Sequence, residues 1–296
     1  MAPAEIEHRF GGPWTEEKLG VVSRYLGFYT RALGRKFKNL IYIDAFAGTG
    51  SREYDEDGET RSNDGSAGLA LNIEPPFTHY VFIEMDPEKA AELERNLATK
   101  PDRNIQVIVG DANTQVVEFL KTWNKYNSRG VIFLDPFAMS VEWSTLEAIA
   151  NTKSLDLWFL FPINAAARTM PVKGEIPESW RQKLISIFGE DPTKHLYETN
   201  TTPSLFPDEV EEEATFRKGG IKLLGRYVVR RMKDIFKGYV SDKALVLRNS
   251  KNSPMFLLLF CSANDYPTAI TLAREVVEDI LKRHAEGGGD VQGFGD

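Results

Sequence analysis

Five short apolar runs at regular intervals constrain the fold of this chain more than any other feature. They are LIYIDAF (40–46), YVFIE (80–84), IQVIV (105–109), VIFLD (131–135) and LDLWFLF (155–161). Each has the length of a strand and is continuously apolar, as expected for a strand buried on both faces. Helical patterns separate them near 66–73, 87–98, 113–124 and 141–151. Strands alternating with helices pair in parallel, with helices on both faces. Two further runs, 243–249 and 255–261, flank a turn containing Asn252, Ser253 and Pro254 and read as an antiparallel hairpin. The expectation is an α/β, doubly wound, mostly parallel seven-stranded sheet, Rossmann-like, ending in a C-terminal antiparallel hairpin.

The rest of the chain arranges itself around that core. Residues 1–38 form an N-terminal helical extension, with Leu19, Val22, Leu26, Tyr29 and Leu33 on one face of a helix over 15–34 that Thr15 caps. The Rossmann-like core spans 39–161 and carries a polar loop at 51–65. A proline-rich insertion, 162–213, holds short helices around 178–189. Residues 214–285 complete the core with a long helix at 214–237, the hairpin and a last helix at 267–285. Residues 286–296, glycine-rich, form a flexible tail.

Composition narrows the function classes. The net charge of −7 argues against a surface that grips nucleic acid everywhere, though not against a local basic groove. The single cysteine, Cys261, sits in MFLLLFCSA and rules out an internal disulfide or a cysteine-built cluster. The four histidines are scattered, so no metal is expected. No apolar run approaches the roughly 20 residues that span a bilayer. The opening MAPAEIEHRF lacks a signal-peptide apolar stretch, so the expectation is a cytoplasmic protein with no membrane association.

The chemistry concentrates at the strand ends. In DAFAGTG (44–50) a strand closes on Asp44, then turns through Phe46, Ala47, Gly48 and Gly50 into polar chain. Glycines there let the backbone approach a ligand closely. Glu84 ends the second strand, beside Met85, where a carboxylate accepts from ribose hydroxyls; Asp86 competes for that role. Asp111, beside Ala112 in GDAN, is placed to read an adenine, and is equally a good helix N-cap. In LDPFAM (134–139), Asp135, Pro136 and Phe137 resemble the Asp/Asn-Pro-Pro-Tyr/Phe motif of amino-methyltransferases, with the departure that Phe137 stands where a second Pro is usual, so the stacking ring is one residue early or absent. In that motif the carboxylate and the proline carbonyl accept the hydrogens of an exocyclic amine, while the aromatic ring stacks on an extruded base. The plainer reading is a strand that stops at Asp-Pro, with Phe137 packed. Lys218, Lys222, Arg226 and Arg230 recur every fourth residue and share one helix face, which suits either the helix dipole or a phosphate backbone.

Together these segments resemble the three-Cys-motif partner protein family, TcmP, whose members look like class I S-adenosylmethionine-dependent methyltransferases. The resemblance starts at Trp14, Lys18, Leu19, Tyr25 and Tyr29. It runs through YIDAFAGTG, GSA (65–67), VFIEMDP, GDAN and VIFLDPFAMSVEW, and ends at SPMFLLLFCSAND. Two positions depart from it: Ala138 stands where the family usually has Gly, and Ala67 where it often has Pro. The resemblance implies S-adenosylmethionine as cofactor and a radical-S-adenosylmethionine-like iron–sulfur protein as partner. The family's motifs do not settle the substrate; the Asp135-Pro136-Phe137 triplet makes methyl transfer to an exocyclic base amine, or to a related planar amine, the leading expectation. The alternative is a non-catalytic cofactor- or nucleic-acid-binding subunit of that partner.

Overall fold

The computed structural model describes residues 13–56, 59–174, 176–202 and 212–295. Proline, pre-set for a first helical turn, opens helix α1 (Pro13–Leu33). Thr15 therefore lies inside the helix rather than capping it. Strand β1 (Asn39–Asp44) follows, then β2 (Ser51–Glu56) and β3 (Glu59–Asp64). The last two pair antiparallel, so a hairpin replaces the expected loop over 51–65. Asp57-Gly58 in the sequence is a hairpin-turn signal that the polar composition hides.

The alternation then proceeds through α2 (Ser66–Leu71), β4 (His79–Glu84), α3 (Pro87–Leu97), β5 (Ile105–Val109), α4 (Ala112–Lys121), β6 (Ser128–Leu134), α5 (Trp143–Asn151) and β7 (Leu155–Phe161). The insertion contributes α6 (Ile163–Arg168), α7 (Glu178–Phe188) and α8 (Thr193–Leu196). It also contributes β8 (Tyr197–Thr202), which pairs with β9 (Glu212–Arg217). The expected helix over 214–237 is therefore shorter: α9 (Ile221–Ile235) begins only after Gly219 and Gly220. Each glycine costs about 1 kcal/mol in a helix interior, and Gly219 takes a left-handed φ of 54°. Lys218 precedes the helix, and of the acidic residues before it, Asp208, Glu209 and Glu211 lie outside the described residues.

The chain ends through β10 (Tyr239–Val240), β11 (Lys243–Arg248), β12 (Pro254–Ser262), α10 (Pro267–Glu286) and β13 (Val291–Gly293). β13 pairs with β11, and Phe294 behind it is 2% exposed. The expectation of a flexible tail is thus overturned: one aromatic anchor outweighs the glycines around it.

The main sheet runs β5-β4-β1-β6-β7-β12-β11-β13, with β10 paired to the end of β12. The five strands from β5 to β7 are parallel, and β12 reverses against β7. Seven of the nine strands are those read from the sequence; β10 and β13 extend the sheet.

Alternate residues of each strand feed two separate cores. Ile43, Ile132, Leu157 and Leu259 face the core built with α5, α7 and α9. Tyr42, Phe133, Trp158 and Phe260 face the core built with α1, α2 and α10. Each such side chain contributes about 1.5–3 kcal/mol by leaving water, and a one-residue slip would exchange the two cores. Among the described residues no helix is long and apolar enough to cross a membrane.

Candidate functional site

The path of the chain chooses the site. From β1 it steps outward to β4 and β5, then returns to β6 on the other side of β1. Neighbouring loops part at such a reversal, opening a crevice beyond the carboxyl ends of the strands. Asp44 ends β1 and Asp135 follows β6, so the two carboxylates flank this crevice from adjacent strands.

Asp44 is fully buried. Burial pushes its carboxyl up to about 6, against the opposing pull of Ser66 and the Phe46 amide; Asp135 adds to the rise and Lys18 opposes it. Oδ1 accepts from the Phe46 amide at 3.2 Å, whereas Oδ2 has no hydrogen-bond partner among the described residues. Buried polar atoms are almost always paired, so this oxygen suits a donor from a bound molecule.

The loop after Asp44 turns through two left-handed glycines, Gly48 at φ 58° and Gly50 at φ 75°. They serve different ends. A Cβ on Gly50 would stand 2.6 Å from Leu93 Cδ1, so packing requires glycine there. A Cβ on Gly48 would meet nothing within 4 Å, so that backbone faces open space. Gly48 N–H donates to Glu84 Oε2 at 3.0 Å, and Asp86 N–H donates to Glu84 Oε1 at 3.0 Å. Glu84 thus ties the glycine loop to the end of β4. A carboxylate has about four acceptor positions, which leaves Glu84 capacity for a ligand hydroxyl.

Asp86, the competitor for that role, caps α3 by accepting from Glu88 and Lys89. Met85 is 70% exposed beside it. Asp111 caps α4 through the Thr114 amide at 3.0 Å, with Ala112 buried behind it.

After β6, Pro136 is buried while Phe137 is 70% exposed. Ala138 adopts φ 55°, the conformation that glycine takes without strain and alanine does not. Two contributors have no assigned role in the sequence reading. Asn113 accepts from the Glu142 amide and the Thr145 hydroxyl, both at 2.9 Å, and donates to the Ser140 carbonyl at 2.9 Å. It pins the loop beyond Phe137 to the start of α4, and its only sequence signal is its place in GDAN. Lys18, from α1, pairs with Asp135 Oδ2 across 117 residues of chain. Sequence spacing holds no hint of that contact.

The basic residues lie apart from this group. Lys222, Arg226 and Arg230 are exposed on one face of α9, and Lys218 lies 3.6 Å from Glu198. A cavity of about 360 Å³ opens at the amino ends of β6 and β7, where Tyr25 donates to buried Asp156 at 2.6 Å; it includes none of the site residues above.

No family model matches this sequence, and neither does any curated protein. Among solved structures, the chain is similar to LPL1258 of Legionella pneumophila str. Philadelphia 1, from the family designated DUF519. That match has 14% identity and a TM-score of 0.54, covering 96% of this chain and 97% of the other. At that identity the likeness shows the fold alone. Looser matches include an S-adenosylmethionine-dependent methyltransferase from Clostridium acetobutylicum ATCC 824, at 11% identity and TM-score 0.38, covering 84% and 92% of the two chains. Another is the N-terminal domain of EvdMO1 with SAH bound, at 9% identity and TM-score 0.38, covering 80% of each. The chain has a Rossmann-like fold: a parallel core, a reversal at β1 and an antiparallel β12 beyond β7.

Proposed function

We propose that this chain is an S-adenosylmethionine-dependent methyltransferase acting on an exocyclic amine of a nucleic acid base. The observation that carries the reading is the convergence of Asp44, the open Gly48 backbone and Asp135 on one crevice, with Phe137 exposed beside it. The residues fit the cofactor. Asp44 Oδ2 would accept from its amino group, and the turn Phe46-Ala47-Gly48-Thr49-Gly50 would hold its methionine part. Glu84 accepts from the ribose hydroxyls, with Met85, Asp111 and Ala112 around the adenine. When bound, S-adenosylmethionine supplies a methyl on a positively charged sulfur, which becomes a neutral thioether as the new N–C bond forms.

The remaining work falls to the loop after β6. Asp135 and the Pro136 carbonyl accept the amine hydrogens, so the nitrogen lone pair is directed at the methyl rather than into the ring. Asp135 takes the proton that the methylated amine sheds and passes it to water. Phe137 is the candidate ring for stacking on a base drawn out of its duplex. The exposed cations of α9 are a candidate face for the phosphate backbone.

The resemblance to the three-Cys-motif partner family motivates an iron–sulfur partner. The one cysteine here is fully buried, with its thiol pushed well above the usual range by desolvation, so any cluster belongs to that partner.

The test is calorimetric binding of S-adenosylhomocysteine, followed by transfer of labelled methyl to DNA, RNA and protein pools, with and without a three-Cys-motif protein. Asp135→Ala should keep the binding and lose transfer into nucleic acid. Label appearing only in protein would refute the base-amine reading, and binding without transfer under every condition would leave a non-catalytic subunit.

A further inference from the structure

We propose that Lys18 and Asp135 together read the acceptor, selecting a base edge in which the exocyclic amine stands beside an unprotonated ring nitrogen, as in adenine and cytosine. The inference rests on the function proposed above and narrows its substrate class.

The pair is unusual for its position. Lys18 leaves the first turns of α1, while Asp135 sits at the crevice, and their side chains are 12% and 25% exposed. Folding does not need this contact to seat α1, because Leu19, Val21 and Val22 bury the helix beside it. A half-buried ion pair also adds little net stability, since desolvation offsets most of the attraction. Its chemistry is what it presents to the crevice. An ammonium has three donors and a carboxylate two acceptor oxygens. After their mutual bond, an acceptor remains on Asp135 Oδ1 and donors remain on Lys18 Nζ, side by side.

An acceptor beside a donor complements a donor beside an acceptor. The Watson–Crick edges of adenine (N6–H with N1) and cytosine (N4–H with N3) offer that order, and an extruded base is read by this edge. Guanine presents N2–H beside N1–H, so Lys18 would face another donor. A protonated alkylamine, such as a lysine side chain of a protein, lacks the ring acceptor. It would also meet the Lys18 charge, which cancels much of the attraction that an isolated carboxylate would exert.

The experiment uses the full chain, labelled S-adenosylmethionine and short single-stranded oligomers. Each oligomer carries one target: adenine, cytosine, guanine, 1-deazaadenine or 3-deazacytosine. The deaza bases keep the amine and replace the ring acceptor with C–H. Wild type should prefer adenine or cytosine over guanine, and over its own deaza counterpart by roughly ten- to hundredfold in kcat/KM. Lys18→Met should lose a similar factor on the natural base and show no further penalty on the deaza base. This cycle removes the intrinsic effect of changing the ring. Lys18→Arg, which keeps donors, should recover part of the loss, and S-adenosylhomocysteine affinity in all three proteins serves as the check on folding.

If Lys18→Met binds S-adenosylhomocysteine normally and retains the full deaza penalty, the proposal is overturned while the methyltransferase reading stands. Wild type that methylates guanine as well as adenine overturns it in the same way. If wild type binds S-adenosylhomocysteine and methylates no base, the functional reading fails and this proposal fails with it.

Discussion

Replacing Asp44 with Asn should stabilise the fold in a pH-dependent way while damaging its site. In the unfolded chain an aspartate titrates near 3.9. In the folded chain, burial pushes Asp44 up to about 6. The folded state therefore holds the proton more tightly, and the associated stability is fully present below the unfolded value and lost as pH rises through about 6. At about 1.4 kcal/mol per pH unit, the loss is about 1 kcal/mol at about pH 4.5 and about 3 kcal/mol at about pH 8. Asparagine stays neutral throughout, so its stability relative to wild type should improve by about 2 kcal/mol between those pH values. Any fixed cost of placing the amide cancels in that difference. Urea unfolding of both proteins at the two pH values measures it directly. At about pH 8 the variant should also bind S-adenosylhomocysteine at least roughly tenfold more weakly, because a charge-assisted hydrogen bond becomes a neutral one. A stability difference that is the same at both pH values would refute the argument from burial.

Three further outcomes follow from the same geometry. Asp156, also buried and pushed up to about 6, should show the same pH-linked gain in Asp156→Asn; that amide still accepts from Tyr25, and S-adenosylhomocysteine affinity should not change. Gly50→Ala adds left-handed strain and a clash with Leu93, so urea unfolding should report a loss of about 2–4 kcal/mol. Phe294→Ala should cost about 3 kcal/mol, whereas a change below about 0.5 kcal/mol would mean that the tail does not dock.

The sequence is most legible where local pattern and tertiary demand agree. The continuous apolar runs became the parallel strands, and Pro254–Ser262 became the reversed strand. Strand-end acids were readable because a strand that stops at the crevice places its next residue there, as Asp44 and Asp135 show. Composition misled elsewhere. The glycines of 286–296 outnumber Phe294, yet a single buried ring and three residues of pairing fix that segment. The charged run 212–218 resembles a helix continuation until Gly219 and Gly220 are weighed against it. Lys18 was visible as a residue but not as a partner of Asp135. An ion pair across 117 residues depends on where α1 docks, and no local spacing encodes that.

That docking has a consequence for how the protein is made. α1 lies against α10 and β11, and its Trp14 ring sits 5.1 Å from Phe256 of β12. A ribosome therefore releases the helix long before the surface it rests on. The five parallel strands emerge and pair while α1 still lacks β11, β12 and α10, and such late, long-range contacts are slow to form. At that stage Asp44, Glu84 and Asp135 have been synthesised and α1 has α2, β6 and β7 to rest on, but the helix that carries Lys18 still lacks the rest of its docking surface. The part of the site assigned to the cofactor is encoded early, and the part assigned to choosing an acceptor is completed only by the last elements synthesised.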